Sequence, residues 1–489
     1  MRYPNEPTEP IWTESPPRPT WEGPPAPIPH ETPPDLPHTL PAQEVPAPSG
    51  PPPPGRGLDR RRFLALAGGV GALGALGAVL GPRAWDGLFG GGSSATTGAM
   101  GSGDGATLVL LTLYGGNDGL NTVIPYQDPA YAATRGSLAV APSTVLPLAD
   151  GFGLHAGMPG FKKLWDAREL AIVHGVGFAD PNYSHFESMD IWQSGVPETP
   201  VSTGWLGRWL DGTKSSPLRA IALGPTLPTA LSGEKVQGAA IPIGPLELPG
   251  DASEQALYAA VARSAPSDPP LAAQAASSDR VLLALDQKLG PILDRSATSN
   301  PLHLTGTTAQ GAGVGAAGAL AIANGGGGTS TGDVLAVQLS TVANLILAGA
   351  GADVYSVELG GFDTHADQVP VQSALLTQVD TAVTAFVDAL RGTKRGARTV
   401  VLIYTEFGRR VGANASAGTD HGWANVAFVA GPSVKGGFYG EPPSLTKLSQ
   451  GNTVYTTDFR TLYATMLGGV LGADPKAFLE GSFPQLAVV

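Results

Sequence analysis

Four short segments of this chain carry the residue types that bind metal ions, each beside glycine. They are Gly115-Gly116-Asn117-Asp118-Gly119, Gly361-Phe362-Asp363-Thr364-His365, Thr405-Glu406-Phe407-Gly408-Arg409 and Gly418-Thr419-Asp420-His421-Gly422. Carboxylates and imidazoles are the ligands of zinc, manganese and similar divalent ions. Carboxylates gathered without an ion repel one another, and a divalent ion relieves that repulsion. The glycines let the backbone turn sharply and bring ligands close. The candidate ligands are therefore Asp118, Asp363, His365, Glu406 and His421, for a divalent metal, with zinc or manganese first. Each alone reads more simply as a turn residue, a helix cap or a structural hydrogen bonder. Their recurrence is what points to a site.

A fifth segment, Asp180-Pro181-Asn182-Tyr183-Ser184-His185-Phe186-Glu187, places Ser184 at the start of a helix. Backbone N–H groups there favour an anion, and a nucleophile could stand beside a metal. The same spacing, with Glu187 three residues on, is also a capping box. Arg409 could clamp an anionic group through paired hydrogen bonds, or form a surface ion pair. Asn117, Asn121 and His185 are the candidates for contact with substrate.

The elements that must position these residues follow from hydrophobic pattern. Residues 107–114 are a continuous apolar run of strand length, as expected of a strand buried on both faces of a parallel sheet. A second run covers 170–176. Helices are expected at 159–167, 184–194, 205–211, 252–264 and 278–294, with short strands and loops across 218–250. Regular alternation then follows: helix 333–349, strand 352–359, helix 369–391, strand 399–405, strand 425–430 and a last helix near 458–471. This alternation predicts an α/β fold with a doubly wound parallel sheet. In such sheets ligands bind outside the carboxyl ends of the strands, which is where the four glycine-flanked segments fall.

The chain has 489 residues, no cysteine and a formal net charge of −12. Disulfides and Cys-based zinc sites are excluded. A general nucleic-acid binder is not expected, because such proteins need a basic field. Residues 1–58 form a Pro-rich tail expected to be disordered. Residues 59–82 contain Arg60-Arg61-Arg62-Phe63-Leu64 and a glycine-interrupted apolar stretch, a twin-arginine signal. That implies the twin-arginine translocase as partner and a periplasmic or extracellular destination. The alternative is a retained membrane anchor with a basic cytoplasmic flank. Residues 83–106 read as a Gly/Ser linker, and 107–489 as the folded domain, with a Gly/Ala-rich insertion near 296–332.

As a set, these motifs resemble the domain-of-unknown-function 1501 family: Tyr114 to Val123, Ser184 to Glu187 with Trp192-Gln193-Ser194-Gly195, Gly361 to His365, Thr405 to Arg409, Gly418 to Gly422, and Thr457-Asp458-Phe459-Arg460. The resemblance runs from about 107 to 485. Members of that family are typically exported by the twin-arginine route. The family is similar in turn to the alkaline phosphatase–sulfatase superfamily. That likeness implies an alkaline-phosphatase-like central, mostly parallel sheet with helices on both faces and insertions. It also implies a two-metal site and hydrolysis of small or polymeric phosphate or sulfate esters. By position, Asp118 matches the first-strand metal ligand, and Asp363, His365 and His421 match one metal's shell. Glu406 stands where the superfamily has an Asp of the second metal. Ser184 is the nearest candidate nucleophile. The chain departs from the superfamily in carrying Glu406-Phe407 where an Asp-His pair is usual, and in having no Cys to become formylglycine. The alternative function is a non-catalytic cell-envelope or polysaccharide-binding protein that keeps the fold.

Overall fold

The computed structural model describes residues 105–198, 200–213, 216–244, 246, 251–263, 269–296, 299, 301–304 and 334–489. The expectations for the Pro-rich tail, for Arg60 and Arg61, for nearly all of the linker and for most of the Gly/Ala-rich insertion lie outside them. Among the described residues, no helix is long and apolar enough to cross a membrane.

Among the described residues there are twelve strands: β1 (Thr107–Leu113), β2 (Val123–Ile124), β3 (Leu146–Pro147), β4 (Gly153–Leu154), β5 (Leu170–Gly177), β6 (Ala220–Leu223), β7 (Ala239–Ile241), β8 (Val354–Leu359), β9 (Thr399–Tyr404), β10 (Asn425–Ala430), β11 (Gly437–Tyr439) and β12 (Thr457–Asp458). The described helices are α1 (Pro129–Arg135), α2 (Pro159–Asp166), α3 (His185–Ser194), α4 (Trp205–Gly212), α5 (Ala252–Val261), α6 (Pro270–Ser296), α7 (Val334–Leu347), α8 (Gln368–Leu390) and α9 (Arg460–Thr465). The expected single helix near 458–471 is instead α9 followed by a π turn, Met466–Val470.

Nine strands form one sheet in the order β11-β5-β10-β9-β1-β8-β6-β7, with β12 also on β5. The pairs β9–β1, β1–β8, β8–β6 and β6–β7 are parallel. The sheet is not parallel throughout: β10 runs antiparallel to both β9 and β5. A parallel return needs a crossover, usually a helix. Between Tyr404 and Asn425 no helix intervenes, so β10 comes back in the opposite direction.

The central strand β1 is buried along its whole length, as its unbroken apolar run requires. Its side chains alternate between two cores. Val109, Leu111 and Leu113 pack with residues of α2, α6, α7 and α8; Leu108 and Leu110 pack with residues of α3, α4 and α9. Helices therefore cover both faces of a large, mostly parallel sheet. At roughly 2 kcal/mol for each fully buried Leu or Val, β1 is a firmly anchored element from which to hang a loop.

Candidate metal centre

The loops after β1, β8 and β9 leave the same edge of the sheet. Because β10 is reversed, the segment that precedes it reaches that edge too, and so does the segment between β5 and α3. Two glycines make the close approach possible. A Cβ on Gly115, where φ is +113°, would lie 2.4 Å from the Asp363 backbone nitrogen, and one on Gly418 would lie 2.3 Å from the His365 carbonyl. Any side chain there would push the loops apart.

Three imidazoles and one carboxylate meet in this space. Asp363 Oδ1 lies 3.0 Å from His365 Nε2 and 3.1 Å from His421 Nε2. The two Nε2 atoms are 2.8 Å from each other. Asp363 Oδ2 lies 3.4 Å from His185 Nε2. Two of the rings are held from behind by hydrogen bonds at Nδ1. His185 Nδ1 is 2.7 Å from Glu406 Oε1, and His421 Nδ1 is 2.7 Å from the Tyr183 carbonyl. Asp420 Oδ1 stands 3.6 Å from His365 Nδ1. Because the Tyr183 carbonyl can only accept, His421 Nδ1 donates to it. Buried Phe407 lies beneath, its ring 4.8 Å from the His185 ring and 4.7 Å from the His421 ring.

The electrostatics are those of a site that attracts positive charge. Burial works against ionising Asp363. His185, His421 and Arg409 outweigh it and hold the carboxyl far below the usual carboxylate range. Burial also opposes charging His185, but Asp363 and Glu406 overcome it and raise the imidazole to about 9. Without an ion, a proton therefore sits on His185. An ion there would take that proton's place, and loading would release it.

His185, Asp363 and His421 can together hold a metal ion, and His365 stands within reach of two of them. The donor set fits such a group. His185 Nε2 is buried without a hydrogen-bond partner among the described residues, and the backing of Nδ1 by carboxylate or carbonyl is how metal-binding histidines are commonly oriented.

The structure distributes the expected site residues differently from the pattern. Asp363, His365 and His421 come together. His185, expected to touch substrate, joins them as a candidate ligand. Glu406 does not face the cluster. It is 1 % exposed and accepts from the Gly115 N–H at 2.8 Å and from Thr405 Oγ1 at 2.8 Å, behind His185. Asp118 is corrected from ligand to buried counter-ion. Its carboxylate accepts from Arg135, Gln368 and the Leu120 N–H, because the fully buried Arg135 guanidinium needs a negative partner. Asn117 and Asn121 are buried and not exposed to a substrate. Asn117 bonds Thr122, and Asn121 bonds the Leu138 carbonyl and the Tyr131 hydroxyl. Arg409 is no open anion clamp, since its guanidinium donates to the carbonyls of Gly115, Gly116, Phe362 and Thr419 and to Asp363. Ser184 caps α3, accepting from the Glu187 N–H at 3.4 Å, the capping-box alternative.

The fold and the cluster together define a doubly wound α/β protein with a candidate metal centre at the carboxyl edge of its sheet. The chain belongs to the family described as "Protein of unknown function (DUF1501)", whose pattern matches residues 201–482. No curated protein matches the sequence. Among solved structures it is similar to the PsFucS1 sulfatase from Pseudoalteromonas sp., at 12% identity and a TM-score of 0.33, over 77% of this chain and 70% of that one. It is also similar to a phosphonoacetate hydrolase from Sinorhizobium meliloti 1021 in complex with phosphonoformate, at 11% identity and a TM-score of 0.24, over 62% of this chain and 57% of that one. Both likenesses are distant, and the reading of the site rests on its own geometry.

Proposed function

We propose that the protein is an exported, metal-dependent hydrolase of anionic esters, with phosphate and sulfate esters the first class to test. The observation that carries this reading is the convergence of three imidazole Nε2 atoms on the Asp363 carboxylate, with the His185 and His421 rings hydrogen-bonded from behind at Nδ1. His185, His365, His421 and Asp363 would hold the ion. Three nitrogens and one oxygen favour zinc over manganese, which prefers more oxygen ligands. Such an ion supplies Lewis-acid polarisation of an ester oxygen and lowers the pKa of a water.

The chain's own residues orient and shield. Glu406 fixes the His185 ring and the Tyr183 carbonyl fixes His421. Phe407 covers the inner faces of both rings. Arg409 holds Asp363 in its ionised form. The side chains of Asp363 and His365 are 45% and 46% exposed, which leaves one side open to an ester. Ser184 is engaged as a helix cap, so this reading assigns the attack to water. Export through the twin-arginine translocase, to the periplasm or the exterior, rests on Arg60-Arg61 and the apolar stretch behind them.

Metal analysis of purified protein tests the centre. Wild type is expected to carry roughly one ion per chain, while His421→Ala and Asp363→Ala carry almost none. Wild-type metal content in both variants would overturn the assignment. Phosphate monoesters, phosphodiesters and sulfate esters should then be screened with zinc or manganese. Inactivity across the panel in metal-loaded protein would favour the non-catalytic envelope or polysaccharide-binding alternative. Replacing Arg60 and Arg61 by Lys should block translocation, and undiminished export would sink that part of the reading.

A further inference from the structure

We infer that Arg410 and the Tyr183 ring form an anion subsite beside the candidate metal centre. Arg410, not its neighbour Arg409, then selects esters that carry an oxyanion. The placement next to the reacting group rests on the metal reading above; the binding of the anion does not.

The two adjacent arginines differ in what their side chains do. The Arg409 side chain is 0% exposed and committed to carbonyls and to Asp363. Arg410 is half-buried, and its Nε is buried with no hydrogen-bond partner among the described residues. A partly desolvated donor on a permanent cation is costly unless something accepts from it. The guanidinium carbon lies 6.0 Å from the centre of the Tyr183 ring, at the outer limit of a cation–π contact.

Both partners are fixed to the centre by backbone. The Arg410 N–H donates to the Asp420 carbonyl at 3.0 Å, and its own carbonyl accepts from Arg135 Nη1 at 3.1 Å. One residue before it, Arg409 forms an antiparallel bridge with His421. The Tyr183 carbonyl faces His421 Nδ1, and the Tyr183 hydroxyl accepts from Asn452 at 3.0 Å. Asp420 is the neighbouring acid. Its carboxyl is held below the usual range by the Asn414 amide first, and also by His365 and Arg410. It is exposed and engaged by Asn414 and His365, and it makes no ion pair with Arg410 among the described residues. Arg410 therefore presents a guanidinium with its Nε unanswered among the described residues, on backbone bonded to Asp420, the residue before the candidate ligand His421. A guanidinium fork matches phosphate, sulfate or carboxylate oxygens in pairs.

The test is calorimetric titration of inorganic phosphate, sulfate and acetate into the full-length protein. It is run on the protein as purified and after chelation, for wild type, Arg410→Gln and Arg410→Lys. Phosphate or sulfate is expected to bind wild type, with affinity at least about tenfold weaker in Arg410→Gln, roughly the loss of a charge-assisted hydrogen bond, and intermediate in Arg410→Lys. Metal content and thermal midpoint should stay at wild-type values in both variants. The subsite is wrong if Arg410→Gln binds as wild type does, or if wild type binds none of the three anions. The two readings fail separately. Loss of anion binding in Arg410→Gln, in a protein that holds no metal, keeps the subsite and removes the metal centre. Unchanged anion binding in a metal-loaded variant does the reverse.

Discussion

Two polar clusters sit at the carboxyl edge of the sheet, built from the same loops, and they differ in what is left over. In the first, Asn117, Asp118, Asn121, Thr122, Arg135, Gln368, Gln372 and Thr419 are each at most 4% exposed. Gln372 Nε2 donates to the Asp118 carbonyl, Thr419 Oγ1 to Gln368 Oε1, and Arg135 to the Asp118 carboxylate. Apart from Arg135 Nε, every buried side-chain polar atom in it has a partner. In the second, the Asp363 carboxylate and the His185, His365 and His421 rings face one another and are part-exposed to solvent. The first cluster is closed and holds loops together. The second is held from behind, and among the described residues its His185 Nε2 has no hydrogen-bond partner in front. Residue type alone does not separate them; an aspartate beside glycines after a strand stands in each.

The comparison can be attacked experimentally, beginning with the closed cluster. Asp118→Asn should cost roughly 3–5 kcal/mol in urea unfolding, because it leaves a buried guanidinium without its counter-charge. Metal content of the folded protein should not change. Loss of metal with stability intact would reverse the roles of the two clusters.

His174 offers a contrast with the clustered imidazoles. It is 2% exposed on β5, its Nε2 has no hydrogen-bond partner among the described residues, and burial lowers it from 6.5 to about 4. The folded state therefore refuses a proton that the unfolded chain accepts below 6.5. Stability is full above 6.5 and declines as pH falls towards 4, by up to roughly 3 kcal/mol. His174→Gln should flatten that decline in a series of unfolding curves, and parallel slopes for the two proteins would refute it.

Glu406→Gln keeps the shape behind His185 but removes the charge. It should weaken metal binding by about 10–100-fold in a chelator competition while the fold survives. An unchanged affinity would mean that His185 needs no orienting carboxylate. The smallest effect belongs to Ser184→Ala, about 1 kcal/mol from loss of the α3 cap. Turnover on any ester found should persist in this variant; its abolition would return Ser184 to the role of nucleophile.

Much of the scaffold was readable because buried strands leave unbroken apolar runs. Residues 107–114 were expected and Thr107–Leu113 is found; 425–430 was expected and Asn425–Ala430 is found. The direction of β10 lay in the absence of a helix before it, a signal that alternation alone does not weigh. In the site, Asp363, His365 and His421 were legible because they sit beside glycines at strand ends. His185 was harder to assign, since it opens a helix some way past β5 and its ligand-like geometry depends on Glu406, 221 residues away. The pairing of Asp118 with Arg135 was not legible, because Arg135 comes from a seven-residue helix too short to give a clear periodic pattern. Phe407 registered only as a departure from a ligand pair, since a ring packed under two imidazoles is visible only in three dimensions.

The contact between the Tyr183 carbonyl and His421 joins positions 238 residues apart. Closing so long a loop comes late, since its entropic cost must be met by an assembled sheet. A ribosome that stalls after codon 365 but before codon 421 releases a polypeptide that has His185, Asp363 and His365 but not His421 to join them. Retention of an ion at this centre would therefore report that translation had passed His421 and that the sheet had closed around it.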